Sequence, residues 1–204
     1  TLCGTLFVLS VTFLANNVWQ TEARAKETVN AEARSIRLVR TYVDELPDAA
    51  RASMIKLLTA YADAVEQEWP GLEVDGGSAS AEDHFAGLFD AVIGTLGGDD
   101  RGKLLQPRIL AGLDAMAQAR ESRISVAMND HVTGGQWFSV VGMAVLLFFA
   151  ISLAHAKAPR ARAVALAVMS VAISLAFFVI MSHDRPFIGF QAIGPEAIVA
   201  AAAQ

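Results

Sequence analysis

One cysteine, Cys3, occurs among 204 residues. A single thiol excludes an intrachain disulfide and any zinc site built from clustered thiolates. Inside an apolar run, it reads as a small buried hydrophobe. Histidine is nearly as sparse. His84, His131 and His155 stand far apart, without the short spacings that bring imidazoles to one metal. No nucleophile–base arrangement, phosphate loop or dinucleotide fingerprint occurs. The glycines of "GTLGGDDRGK", residues 94–103, lack the preceding strand and the Lys-Ser/Thr ending of a phosphate loop. Strand alternation and internal repeats are also missing. A basic surface is absent too: the formal net charge is −5, which argues against a nucleic-acid partner. These absences favour a protein that is not an enzyme and holds no metal or cofactor.

Charge is missing from long stretches as well. Residues 20–135 hold 12 of the 16 Lys and Arg and 19 of the 21 Asp and Glu, while 54% of the chain is hydrophobic. This segregation implies membrane spans joined to an acidic soluble part. Residues 1–19 carry no charge, and 19 helical residues reach roughly 28 Å, close to the hydrocarbon thickness. Residues 136–155 and 164–182 form two further spans, joined by a short basic loop at 156–163. Trp19 and Trp137 fall at span ends, where an indole anchors at the headgroup level. The short loop forces the second and third spans into a hairpin, with Gly142 and Ala150 expected to permit close approach. The chain starts on Thr1 without a basic n-region or small-residue cleavage site. Its beginning therefore reads as the middle of a membrane segment and not as a signal peptide, with more chain expected upstream.

Residues 20–135 show four apolar stripes at helical spacing. The first comprises Val29, Ala33, Ile36, Val39, Val43 and Leu46, continuing the first span until Pro47 stops it. Its heptad-like spacing also suits contact with another copy. The second comprises Met54, Leu58, Tyr61, Val65 and Trp69, after which "PGLEVDGGSAS" breaks the chain. Ser80 and Asp83 form an expected capping box for the third stripe, Phe85, Leu88, Phe89, Val92 and Leu96. A loop at "GGDDRGK" precedes the fourth: Leu110, Leu113, Met116, Ala117, Ile124 and Met128. Short connections then favour an antiparallel bundle. Glu66 and Glu68 suggest paired carboxylates, but positions i and i+2 point to different faces, so a solvated helix end is expected.

Two polar groups interrupt the apolar parts. Asn16 and Asn17 either line a hydrated path or touch interfacial water within a turn of Trp19. His183, Asp184 and Arg185 end the last span, where Pro186 disfavours helix for Arg185 and Gly189 permits a sharp turn. Read structurally, Asp184 and Arg185 pair with the bundle and pin the tail, 183–204, beneath it. Read functionally, Arg185 draws anions to a pore mouth and His183 lends pH sensitivity.

"NNVWQTEARAKETVNAEA", "LLTAYADAVEQEWPGL", "LDAMAQARESRI", "DRPFIG" and "IGPEA" follow in this order around the three spans. Together they resemble the bestrophin-like domain family of bacterial integral membrane proteins. The resemblance implies one more span upstream, a bacterial inner-membrane location and likeness to bestrophins, which are pentameric anion channels. The aromatic pore-neck pattern and the acidic calcium cluster of bestrophins have no counterpart here. Bestrophins keep their soluble region in the cytosol. Lys157, Arg160 and Arg162 instead place the short loop there by the positive-inside rule, with the bundle extracytoplasmic. The expected architecture is all-α, a multi-pass membrane protein with three visible transmembrane helices and an antiparallel bundle outside the bilayer. Its expected role is a homo-oligomeric anion channel or transporter, the alternative being a non-catalytic accessory subunit of a larger membrane complex. Lipid and other membrane subunits are the expected partners.

Overall fold

The computed structural model describes residues 2–95, 100–129, 131–189 and 191–203. Its regular structure is helical throughout: α1 (Leu2–Val43), α2 (Asp48–Glu68), a 3-10 turn (Trp69–Gly71), α3 (Leu72–Asp75), α4 (Ala79–Thr95), α5 (Asp100–Asn129), α6 (Gly134–Ala154), α7 (Pro159–His183) and α8 (Glu196–Ala203). Two compact units emerge, Thr1–Glu22 with His131–Gln191, and Ala23–Asp130 with Ala192–Gln204.

The first unit holds the apolar part of α1 together with α6 and α7, all three long and apolar enough to cross a membrane. Phe7, Leu14 and Val18 of α1 share a core with Val140, Ala144 and Leu147 of α6 and Ile173 and Ile180 of α7. α1 runs antiparallel to α6, since Gly4 lies beside Leu147 and Ser10 Oγ donates to Met143 Sδ at 3.1 Å. A capping box starts α6. Thr133 Oγ1 accepts from the Gln136 amide at 3.4 Å, and Gln136 Oε1 accepts from the Thr133 amide at 2.9 Å. This places the start of α6 at Gly134, ahead of the charge-free stretch expected from residue 136.

α7 begins at Pro159, five residues before the expected span. Proline suits the first helical turn, because its missing N–H would be unpaired there anyway. The tight turn thus shrinks to residues 155–158, and Arg160 and Arg162 belong to the first turn of α7. Gly142 does not serve close packing among the described residues: a Cβ added there meets nothing within 4 Å. Ala144, between Val140 and Leu147, is instead the small residue of α6 buried in the shared core.

In the second unit, α1, α2, α4 and α5 form an antiparallel bundle. Phe85 and Gly87 of α4 lie against Tyr61 and Leu57 of α2, descending as α2 ascends. Val39 and Glu32 of α1 meet Gly112 and Arg123 of α5 in the same opposed sense. The first two stripes are buried throughout, Leu46 within the turn after α1. In the third, Leu88 and Val92 are buried and Phe85 and Phe89 half-buried, while Leu96 lies outside the described residues.

The fourth stripe is rotated from expectation. α5 buries Leu105, Ile109, Leu113, Met116, Arg120, Arg123 and Ala127, and Met128 is exposed. Two arginines occupy the face that the reading reserved for apolar groups. Residues 100–103 of the expected "GGDDRGK" loop already belong to α5, with 97–99 outside the described residues. "PGLEVDGGSAS" is also more ordered than expected, holding the 3-10 turn and α3 before Gly76 turns the chain at φ 74°. α4 then starts at Ala79, so the cap is Ser78 and not Ser80. Ser78 Oγ accepts from the Ala81 amide at 3.1 Å.

The tail ends as α8, whose Ile198, Ala201 and Ala202 are buried in the bundle unit. Trp69 Nε1 donates to the Ile193 carbonyl at 2.9 Å and Arg40 Nη1 to the Ala202 carbonyl at 2.9 Å. The tail is therefore tied to the bundle through Trp69 and Arg40, while Asp184 bonds to Val132.

Candidate functional site

Five polar side chains meet inside the bundle. Glu32 sits between Val29 and Ile36 on the buried stripe of α1. Tyr61 and Glu68, seven apart, share a face of α2. Arg120 and Arg123, three apart, project together from α5. Arg123 and Glu32 are fully buried, and Glu68 and Arg120 nearly so.

Arg123 joins the two acids. Its Nε donates to Glu32 Oε2 at 2.7 Å, and its Nη2 reaches Glu32 Oε1 at 3.3 Å and Glu68 Oε1 at 3.0 Å. Arg120 completes the set, its Nη2 lying 3.1 Å from Glu68 Oε2 and 3.4 Å from the Ser78 carbonyl. The Ser78 amide donates to Glu68 Oε2 at 2.7 Å, coupling the cluster to the start of α4. Tyr61 donates its hydroxyl to Glu32 Oε1.

Two carboxylates and two guanidiniums balance in charge, which makes their burial tolerable. Arg123 Nη1 is the buried side-chain nitrogen left without a hydrogen-bond partner among the described residues. The guanidinium also lies over Trp69, with Cζ 4.9 Å from the ring centroid, and that π face compensates in part. Burial and the neighbouring Glu32 charge push the Tyr61 hydroxyl well above its ordinary pKa. For Arg123, burial is the largest single effect and opposes the charge, but Glu32, Tyr61 and Glu68 together outweigh it and the pKa rises.

All four carboxylate oxygens are engaged, so the cluster offers no open base. It locks α1, α2 and α5 in register. This overturns the solvated reading of Glu68: Glu66 does face water, two residues away on another face, but Glu68 is buried. Glu32, Arg120 and Arg123 were missed altogether. The available signal was position, because each falls on the helical period of its buried apolar neighbours.

Asn16 is exposed and Asn17 half-buried on α1. At the α7 terminus, His183 turns back on its own helix, with Nδ1 3.0 Å from both the Val179 carbonyl and Ser182 Oγ. Asp184 Oδ1 accepts from the Val132 amide at 2.8 Å, which fastens the end of α7 to the approach to α6. Arg185 is exposed, Pro186 and Phe187 are buried, and Gly189 turns the chain at φ 111°. Trp19 is largely exposed. Trp137 is half-buried, edge-on to Phe177 at 5.6 Å.

A polar pocket of about 450 Å³ opens between α1 and α6, lined by Ser10, Thr133, Gln136 and Ser139. Its hydroxyls donate to Met143, Gln136 and the Gly135 carbonyl. Among the described residues, no three His, Cys, Asp or Glu side chains are placed to hold a metal ion.

The family model described as the bestrophin-like domain matches residues 1–198. No curated protein matches the chain, and no solved structure does. The match takes in the three apolar helices, the buried cluster and the Asp184 junction alike, and the chain is a membrane protein belonging to the bestrophin-like domain family.

Proposed function

We propose that the protein is a homo-oligomeric channel or transporter for an anion in the bacterial inner membrane, without catalytic activity. The observation that carries this reading is the family match across all three spans, given that bestrophins are pentameric anion channels. The exposure of the spans supports it. Only 17%, 17% and 11% of the apolar windows in α1, α6 and α7 are buried. Phe13, Phe138, Val168 and Phe178 all present large apolar surface outward. One copy packs its spans around an apolar core, so a polar path calls for several copies around an axis. Arg185, exposed at the end of α7, is the cation placed to attract anions to such a path. The 155–158 turn lies in the cytoplasm, since Lys157 within it and Arg160 and Arg162 just after it follow the positive-inside rule.

Two measurements test this reading. Purified full-length protein, imaged in detergent, is expected as a ring of identical chains. Reconstituted in planar bilayers, it is expected to carry chloride currents whose selectivity shifts in Arg185→Glu. A particle with one copy among unlike chains sinks the proposal in favour of an accessory subunit. Absent currents from a well-formed ring sink the transport part alone.

A further inference from the structure

The turn between α6 and α7 concentrates unbalanced charge. Lys157, Arg160 and Arg162 lie within six residues and are all exposed. Residues 131–183 contain no Asp or Glu at all. The acids of this unit are Glu22 and Asp184. Asp184 lies at the far end of α7, a 25-residue helix spanning roughly 37 Å, and is occupied by Val132. Glu22 is remote as well. α1 is antiparallel to α6, and Leu14 already stands beside Thr133 and Val140 in the wall of one pocket, so Glu22 lies beyond that end. At 37 Å, several Debye lengths in physiological salt, neither acid neutralises the turn.

The position of the turn fixes what can. Leu153 on α6 and Val164 and Val168 on α7 are more than 60% exposed on either side of it. These side chains belong in hydrocarbon, so the cations a few residues away emerge at the headgroup layer, their stems lying along the apolar surface.

We propose that the α6–α7 turn is a docking surface for anionic phospholipid, with Lys157, Arg160 and Arg162 paired to headgroup phosphates of the surrounding leaflet. Arg160 and Arg162, two apart on a helix, point to different faces. They therefore do not converge on one phosphate, but each meets a different lipid. A cation near an anionic leaflet is worth about fivefold in binding, so the three together give roughly a hundredfold preference at low salt. The preference holds whether or not the protein conducts.

The test uses the full chain in liposomes of phosphatidylcholine with spin-labelled phosphatidylglycerol or spin-labelled phosphatidylcholine as the probe. The native protein is expected to restrain the anionic probe more than the neutral one, and to lose that selectivity in high salt. The triple variant Lys157→Gln, Arg160→Gln, Arg162→Gln is expected to show none, with correct insertion verified by protease access. Lys56→Gln, which removes an exposed cation on α2, is expected to leave it intact. Arg160→Lys with Arg162→Lys is also expected to keep it, because a diffuse surface reads charge and not guanidinium geometry. Equal restraint of both probes by the native chain overturns the proposal, as does selectivity surviving in an inserted triple variant. Loss of selectivity in the lysine variant, or displacement of the lipid by inorganic phosphate at constant ionic strength, replaces the surface with a discrete anion pocket.

Discussion

Glu32 and Arg123 bury full charges with almost no access to water, at a desolvation cost of several kcal/mol per ion unless the pairing is near complete. Removing one partner therefore exposes the cost of the other. Arg123→Met leaves Glu32 without a cation, while Glu68 keeps Arg120, and is expected to destabilise the bundle by about 3–5 kcal/mol, measured by denaturant unfolding in detergent. A loss comparable to that of a surface pair would show that water reaches the cluster.

Tyr61 gives a pH signature. Its raised pKa means that the folded state holds the phenolic proton more tightly than the unfolded state. The resulting stabilisation is complete below about pH 10, the ordinary tyrosine value, and declines as pH rises above it. In Tyr61→Phe this alkaline loss should shrink relative to the native chain. An unchanged profile between pH 9 and 11 would separate Tyr61 from it. None of this was legible from composition, where these groups look like ordinary surface charge. A carboxylate or guanidinium on an apolar stripe is readable only as a question, because its partner lies on another helix.

At the scale of elements, the stripes of α1 and α2 were read correctly because uncharged side chains dominate them. That of α5 was read about one position off because it was traced through apolar residues alone, while Arg120 and Arg123 take buried positions. α1 and α5 approach closely at Gly112, where an added Cβ would stand 2.7 Å from Val39 Cγ2. Valine has little rotameric freedom in a helix, so it cannot simply swing aside. Gly112→Ala is expected to cost about 1–3 kcal/mol through overpacking. Gly87 in α4 is the contrast, because its added Cβ meets Leu57 Cδ2 at an ordinary 3.7 Å. Gly87→Ala should be neutral or stabilise by about 0.5–1 kcal/mol, through helix propensity. Equal unfolding midpoints for the two variants would remove the close approach as an explanation.

For the whole molecule, the chain passes between its two units three times, and the C-terminal return brings α8 onto the bundle. The last span ends where Pro186 forbids more helix, and Asp184 spends its carboxylate on Val132 at that junction. Of the charged residues that end the third span, Asp184 thus makes a structural fastening, while Arg185 beside it is exposed. The proposed orientation predicts opposite labelling of two sites. In a Cys3→Ala background, Lys157→Cys should react with impermeant maleimide only from the cytoplasmic face. Ser80→Cys should react only from the outside. Reaction of both from one face would move the bundle to the cytosol.

By itself, the sequence determined the helical class, the three apolar spans and the first two buried stripes, since periodicity and hydrophobic length are local properties of a chain, and its ordered motifs carried the resemblance to the family. Only the tertiary structure decided that four charges lie inside the bundle, that Ser78 caps α4, that α5 turns its arginines inward and that the tail docks through Trp69 and Arg40. A buried charge or a free carbonyl is stabilised by whichever group faces it, and that group is set by the packing of distant helices.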